Sequence, residues 1–159
     1  MAAGLTSTCE RGMMSRDGDT AHMWLDVCAA FEDARQTCGD AELLGKAAYL
    51  ERVSAALWAH GDRSCCISAI QAMQIAQLII DRREQCAEPR AVLASELHGA
   101  VLDLGDALDT AGRSHSDPVV QKIDLLTELL WSRGDDNHAR AAVRLQRIAV
   151  TLIQNGVRV

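Results

Sequence analysis

Residues 61–82, GDRSCCISAIQAMQIAQLIIDR, decide the fold. A Gly-Asp pair opens the stretch, two adjacent cysteines follow, and an apolar run then continues, broken only by Ser and Gln. Glycine closes a helix in the left-handed conformation, and aspartate caps the next by accepting a backbone N–H. The pair therefore predicts a helix–helix junction with a long helix behind it. Along that helix Ser64, Ser68, Gln71, Gln74 and Gln77 make a polar stripe without charge. Ile67, Ile70, Met73, Ile75, Leu78, Ile79 and Ile80 fill the remaining sides. A helix apolar on most sides is central in a bundle. The same pattern suits a groove that receives a partner helix, because Met and Gln adapt their shapes. Both readings stand at this point.

The junction signal recurs outward from this stretch, at Gly18-Asp19, Gly39-Asp40 and Gly134-Asp135. Asp117-Pro118 is a further start, an N-cap followed by proline at the first helical position. Glu88-Pro89 marks another break. Gly105-Asp106 is the exception, because apolar spacing continues through it. These signals predict helices over 20–37, 41–59, 63–86, 90–111, 118–132 and 136–154. Most are about 20 residues and so about 30 Å long. Short connections favour antiparallel neighbours. The predicted fold class is all-α: an antiparallel bundle of about six helices, with a four-helix core plus additional helices. Residues 1–19 are expected to form a flexible arm, and 20–159 a single domain.

Side-chain spacing supports the helices. Trp24, Val27, Cys28, Phe31 and Ala34 form one stripe; Leu43, Ala47, Leu50, Val53 and Leu57 form the next. Leu93, Leu97, Val101, Leu104 and Leu108 oppose a polar face of Glu96, Asp103, Asp106 and Asp109. Val119, Ile123, Leu126 and Leu130 recur at core spacing. Ala139, Ala142, Val143, Ala149, Leu152 and Ile153 are the inward candidates of the last helix.

Composition narrows the chemistry. A chain of 159 residues that is 48% hydrophobic can bury about 70% of the surface it exposes when unfolded. A net charge of −6 repels phosphate backbones, so no nucleic-acid partner is expected. No segment reads as the roughly 18 apolar residues of a membrane helix, so no membrane insertion is expected. The first 20 residues lack an apolar leader core, which predicts a cytoplasmic protein. Cys28, Cys65 and Cys66 fall in helical patterns, which predicts reduced thiols rather than disulfides.

Neighbours on a helix point about 100° apart, so Cys65 and Cys66 do not face one metal ion together. His98 and His138 lack partners at the short spacing of zinc sites. No metal or other cofactor is expected. Around His98, ELHGAVLDLG lacks the lysine of a histidine phosphotransfer site. Without a paired acid and base, an activated nucleophile or a phosphate loop, no catalytic residue is assigned and no enzymatic activity is expected. Arg140, Arg144 and Arg147 make a basic row, read either as a solvated face, paired with Asp103, Asp106 and Asp109, or as a grip on an acidic partner.

Residues 61–131 resemble flagellin-export chaperones. Gly61-Asp62 followed by AIQAMQIAQLIID (69–81) is similar to the family's second long helix, with Ala76-Gln77-Leu78-Ile79-Ile80-Asp81 in register. LHGAVLDLGDAL (97–108) resembles the third helix, and KIDLLTELLW (122–131) the fourth. Of the family's opening Leu-Tyr-Asp-Gly segment, AAYLERV (47–53) keeps only Tyr49. The resemblance implies a cytosolic chaperone that holds a helical secretion client, flagellin or another export substrate, in apolar grooves. The implied partner-binding residues are Ile70, Met73, Gln74, Gln77, Leu97, Val101, Leu104 and Leu126. Two other functions fit the same residues. One is an assembly subunit forming a stable homodimer through the apolar helix, and the other is a signalling bundle using His98.

Overall fold

The structure is a computed structural model that describes residues 18–81 and 91–159. Among the described residues every regular element is helical: α1 (Gly18–Thr37), α2 (Ala41–His60), α3 (Arg63–Ile80), α4 (Ala91–Ala111), α5 (Pro118–Ser132) and α6 (Asp136–Gln154). The all-α class is the one that the periodicity predicts.

The caps explain the boundaries. Asp40 accepts from the backbone N–H groups of Glu42 and Leu43, Asp62 from Cys65, Asp117 from Val119, and Asp135 from His138. Gly61 ends α2 at φ 88°, where a side chain would be strained. Two boundaries differ from expectation. Gly18 and Asp19 lie inside the first turn of α1, so the helix begins before residue 20; residues 1–17 of the expected arm lie outside the described residues. α3 ends at Ile80, where Asp81 turns extended (φ −81°, ψ 109°), instead of continuing to 86. The apolar repeat stops at Ile80, and Asp-Arg-Arg-Glu follows in the sequence. Residues 82–86 lie outside the described residues.

The sequence reading places 20–159 in one domain; backbone proximity groups the chain into two compact units. Met1–Asp81 and Val157–Val159 make the first, and Arg82–Gly156 the second.

In the first unit α3 packs against both α1 and α2. The two-residue connection Gly61-Asp62 makes α2 and α3 a hairpin. Small residues let them approach: Ala47, Ala69, Ala72 and Ala76 are buried, and the Ser54 hydroxyl donates to the Ala69 carbonyl at 2.9 Å. Leu43, Ala47, Leu50, Val53 and Leu57 are all buried, as their spacing predicts. Trp24 of α1 stacks on the buried Trp58 of α2, with ring centroids 4.4 Å apart and planes 6° from parallel. Such ring pairs contribute about 0.5–1.5 kcal/mol beyond area burial.

In the second unit α6 packs against both α4 and α5. All six inward candidates of α6 are buried, together with Leu145, Gln146 and Ile148. The Gln146 amide donates to Asp124 Oδ1 at 2.9 Å and Thr127 Oγ1 at 3.0 Å, which ties α6 to α5 through a buried polar contact. The α4–α5 turn is held by Arg113, whose Nε and Nη2 donate to Asp117 Oδ2 at 3.0 and 2.6 Å. Burial works to raise the Asp117 carboxyl, but the Arg113 guanidinium and the Val119 N–H outweigh it and hold the group below its ordinary value.

Candidate functional site

The eight residues implied as a partner groove are divided between the two units. Ile70, Met73, Gln74 and Gln77 lie on α3 in the first unit. Leu97, Val101 and Leu104 on α4, and Leu126 on α5, lie in the second. Ile70, Met73, Leu104 and Leu126 are buried, and this corrects their reading as open contacts: they are core. The reason is geometric. A four-residue apolar repeat marks a face that is hidden, and it reads the same whether neighbours in the chain or another protein hide it. Gln74 and Val101 are exposed, while Gln77 and Leu97 are half-buried. On α4 the hidden face is rotated from the predicted stripe. Ala100 and Ala107 join Leu93, Leu104 and Leu108 in the core, and Val101 is left 42% exposed.

What α3 keeps open is a face without charge beyond its first residue, Arg63. Ser64, Ile67 and Gln74 are exposed, and Gln71, Gln77 and Leu78 are half-buried. Ile67 is 41% exposed. Residues 64, 67, 71, 74 and 78 follow one another at three- and four-residue steps, so they share one side of the helix. The predicted polar stripe is thus largely the open side, with Ser68 as its one buried member. By length and hydropathy α3 meets the criterion for a membrane span, which corrects the expectation that no segment does. The helix is 61% buried, the state of a core helix.

In the second unit, α4 and α6 bound a cleft of about 560 Å³. Buried Ala107 and Ile153 and half-buried Val150 make its apolar base. Exposed Asp103, Asp106, Thr110 and Gln154 stand around it. Sequence spacing assigned Asp103 and Asp106 to the polar face of α4 and Ile153 to the core. Neither assignment marks a concavity, which depends on how α4 and α6 pack. The row Arg140, Arg144 and Arg147 is exposed on α6. Among the described residues no ion pair joins it to Asp103, Asp106 or Asp109.

The Cys28 thiol is not poised for nucleophilic chemistry. Burial, aided by the Glu51 carboxylate, pushes Cys28 up to about 11. The Cys66 thiol is buried and faces the Trp58 carbonyl at 4.0 Å. No disulfide joins cysteines among the described residues.

Asp135 and His138 form a buried pair at the start of α6, with Nδ1 and Oδ2 2.5 Å apart. Burial works to raise Asp135. The backbone N–H and ring of His138 outweigh it and hold the carboxyl below its ordinary value of 3.8. An ionised carboxylate only accepts, so Nδ1 carries the proton of this contact. His138 Nε2 is buried without a hydrogen-bond partner. The pair is a closed cap rather than an accessible acid–base couple.

Comparison with protein-family models, with characterised proteins and with solved structures finds no match. The resemblance of 61–131 to flagellin-export chaperones therefore rests on its own residues alone.

Proposed function

We propose that this chain is a non-enzymatic, protein-binding helical bundle that receives a helical segment of another protein on the open face of α3. One observation carries the reading: from Ser64 to Leu78 that face holds Ile, Leu, Ser and Gln and no ionisable group. A face that meets only water is normally charged, because charged side chains are the strongly hydrated ones. An uncharged face loses little on desolvation, and its glutamines supply adaptable hydrogen bonds to a partner backbone. The partner of matching chemistry is an amphipathic helix that is apolar and neutral along its contact side. A cytosolic export chaperone holding a flagellin-like client is the finer form of this proposal. The same face used between two copies of the chain is the alternative.

A photo-crosslinking amino acid at position 74, compared with one at Asp109 on the acidic side of α4, tests the proposal in the native host. Capture of one protein at 74, abolished by Ile67→Arg and absent from position 109, supports it. Capture of a second copy of this chain, with a dimer in sedimentation, replaces it by the assembly reading. Equal labelling at both positions removes it.

A further inference from the structure

We propose that His60, Asp62 and Cys65 form a metal site at the α2–α3 turn, suited to a borderline ion such as Zn(II). The three residues span the last residue of α2, the N-cap of α3 and its first turn. A ring nitrogen of His60, a carboxylate oxygen of Asp62 and Cys65 Sγ lie within 4.8 Å of one another. The finer distances match a coordination shell. His60 Nδ1 is 3.3 Å from Asp62 Oδ2, and Cys65 Sγ is 3.5 Å from the same oxygen. Zinc bond lengths at tetrahedral angles put nitrogen and oxygen about 3.3–3.5 Å apart, and oxygen and sulfur about 3.5–3.7 Å apart. Two edges of the tetrahedron are already at length. The third closes by a small swing of His60, whose side chain is 38% exposed.

Local structure prepares the donors. Asp62 uses Oδ1 to cap α3, accepting the Cys65 N–H at 2.8 Å. That bond fixes the carboxylate plane and turns Oδ2 toward the imidazole and the thiol. Gly61, at φ 88°, makes the tight turn that brings His60 back over the start of α3. The donor set of imidazole, thiolate and carboxylate selects Zn(II) or Co(II) over Mg(II) or Ca(II), which take oxygen ligands. Cys65 loses its proton to solvent when the ion binds, and the first-turn amides of α3 favour the resulting negative charge. Three protein ligands leave the fourth position to water, on the side where His60 and Asp62 are open. Bound there, the ion fastens the α2–α3 hairpin. Cys66, turned toward Trp58, takes no part.

The adjacent pair Cys65-Cys66 does not mark this group, because only Cys65 belongs to it. The relevant signal is the spacing His-x-Asp-x-x-Cys across a Gly-Asp junction, where the chain reverses.

The test is titration of the full reduced chain with Co(II), followed by optical absorption. The expected result is saturation at about one equivalent, with a thiolate-to-cobalt charge-transfer band and tetrahedral ligand-field bands. Cys65→Ser removes the charge-transfer band, Cys66→Ser leaves it, and His60→Ala weakens binding about tenfold or more. Zn(II) displaces the cobalt and raises the melting temperature of the native chain more than that of H60A. Should C65S fail to fold, H60A decides, because His60 is exposed. Absence of a thiolate band at stoichiometric Co(II), or a band that survives both C65S and H60A, overturns the proposal.

Discussion

Replacing Asp135 by alanine removes two interactions at once, and the structure sets the size of the effect. The carboxylate caps α6 by accepting the His138 N–H at 2.9 Å, and losing such a cap costs about 0.5–2 kcal/mol. The same carboxylate accepts from the buried His138 ring. Its loss leaves a buried polar group unpaired, at about 1–3 kcal/mol. His138 Nε2 already has no partner, so the ring would be left with none. Together the two losses predict a destabilisation of about 2–4 kcal/mol at neutral pH. Asp135→Asn keeps an oxygen for the cap but offers the ring an N–H in place of an acceptor, so it falls between the two proteins. The pH dependence has a fixed sign. Asp135 is held below its ordinary 3.8, so its contribution is complete above that value and disappears as pH falls through the lowered, folded value. Urea unfolding followed by circular dichroism measures the loss. Hydrogen exchange of the α6 amides assigns it to the second unit, since two units need not unfold in one step. A loss under about 1 kcal/mol at neutral pH, or a loss that is undiminished in strong acid, would refute the reasoning.

Further expectations follow from burial and charge. Ile70→Asp places a carboxylate in the first unit's core and is expected to unfold it. Ile67→Asp, one turn away on the open face, changes stability by about 0.5 kcal/mol; equal losses in urea unfolding would contradict the assignment of faces. Phe31→Ala, at 1% exposure, costs about 3–5 kcal/mol in the same assay. Cys28, pushed up to about 11, resists alkylation near pH 8 in the folded chain and reacts readily once unfolded; rapid labelling of the native protein, read by mass spectrometry, would contradict that state. Arg113→Ala releases Asp117, loosens the α4–α5 turn and moves acid unfolding to higher pH; an unchanged acid midpoint would show that the pair contributes little.

The helices, and the hidden sides of α2 and α6, were legible in the chain itself. Asp40, Asp62, Asp117 and Asp135 announce helix starts because a cap involves atoms only two or three residues apart. The row from Leu43 to Leu57 announces a buried face because helical repeat sets which residues share a side. That physics is local, and it holds whatever the helix packs against. Other properties depend on relations between helices. Ile70 and Leu126 carry the same local pattern whether they line a core or a groove, and only packing shows them buried. The association of α3 with α1 and α2, and of α6 with α4 and α5, arises from complementary surfaces far apart in sequence. The cleft beside Ile153 is lined by residues of both α4 and α6, which α5 separates in the chain. His60, Asp62 and Cys65 meet because Gly61 folds the chain back on itself, so that donors belonging to two helices share one point in space.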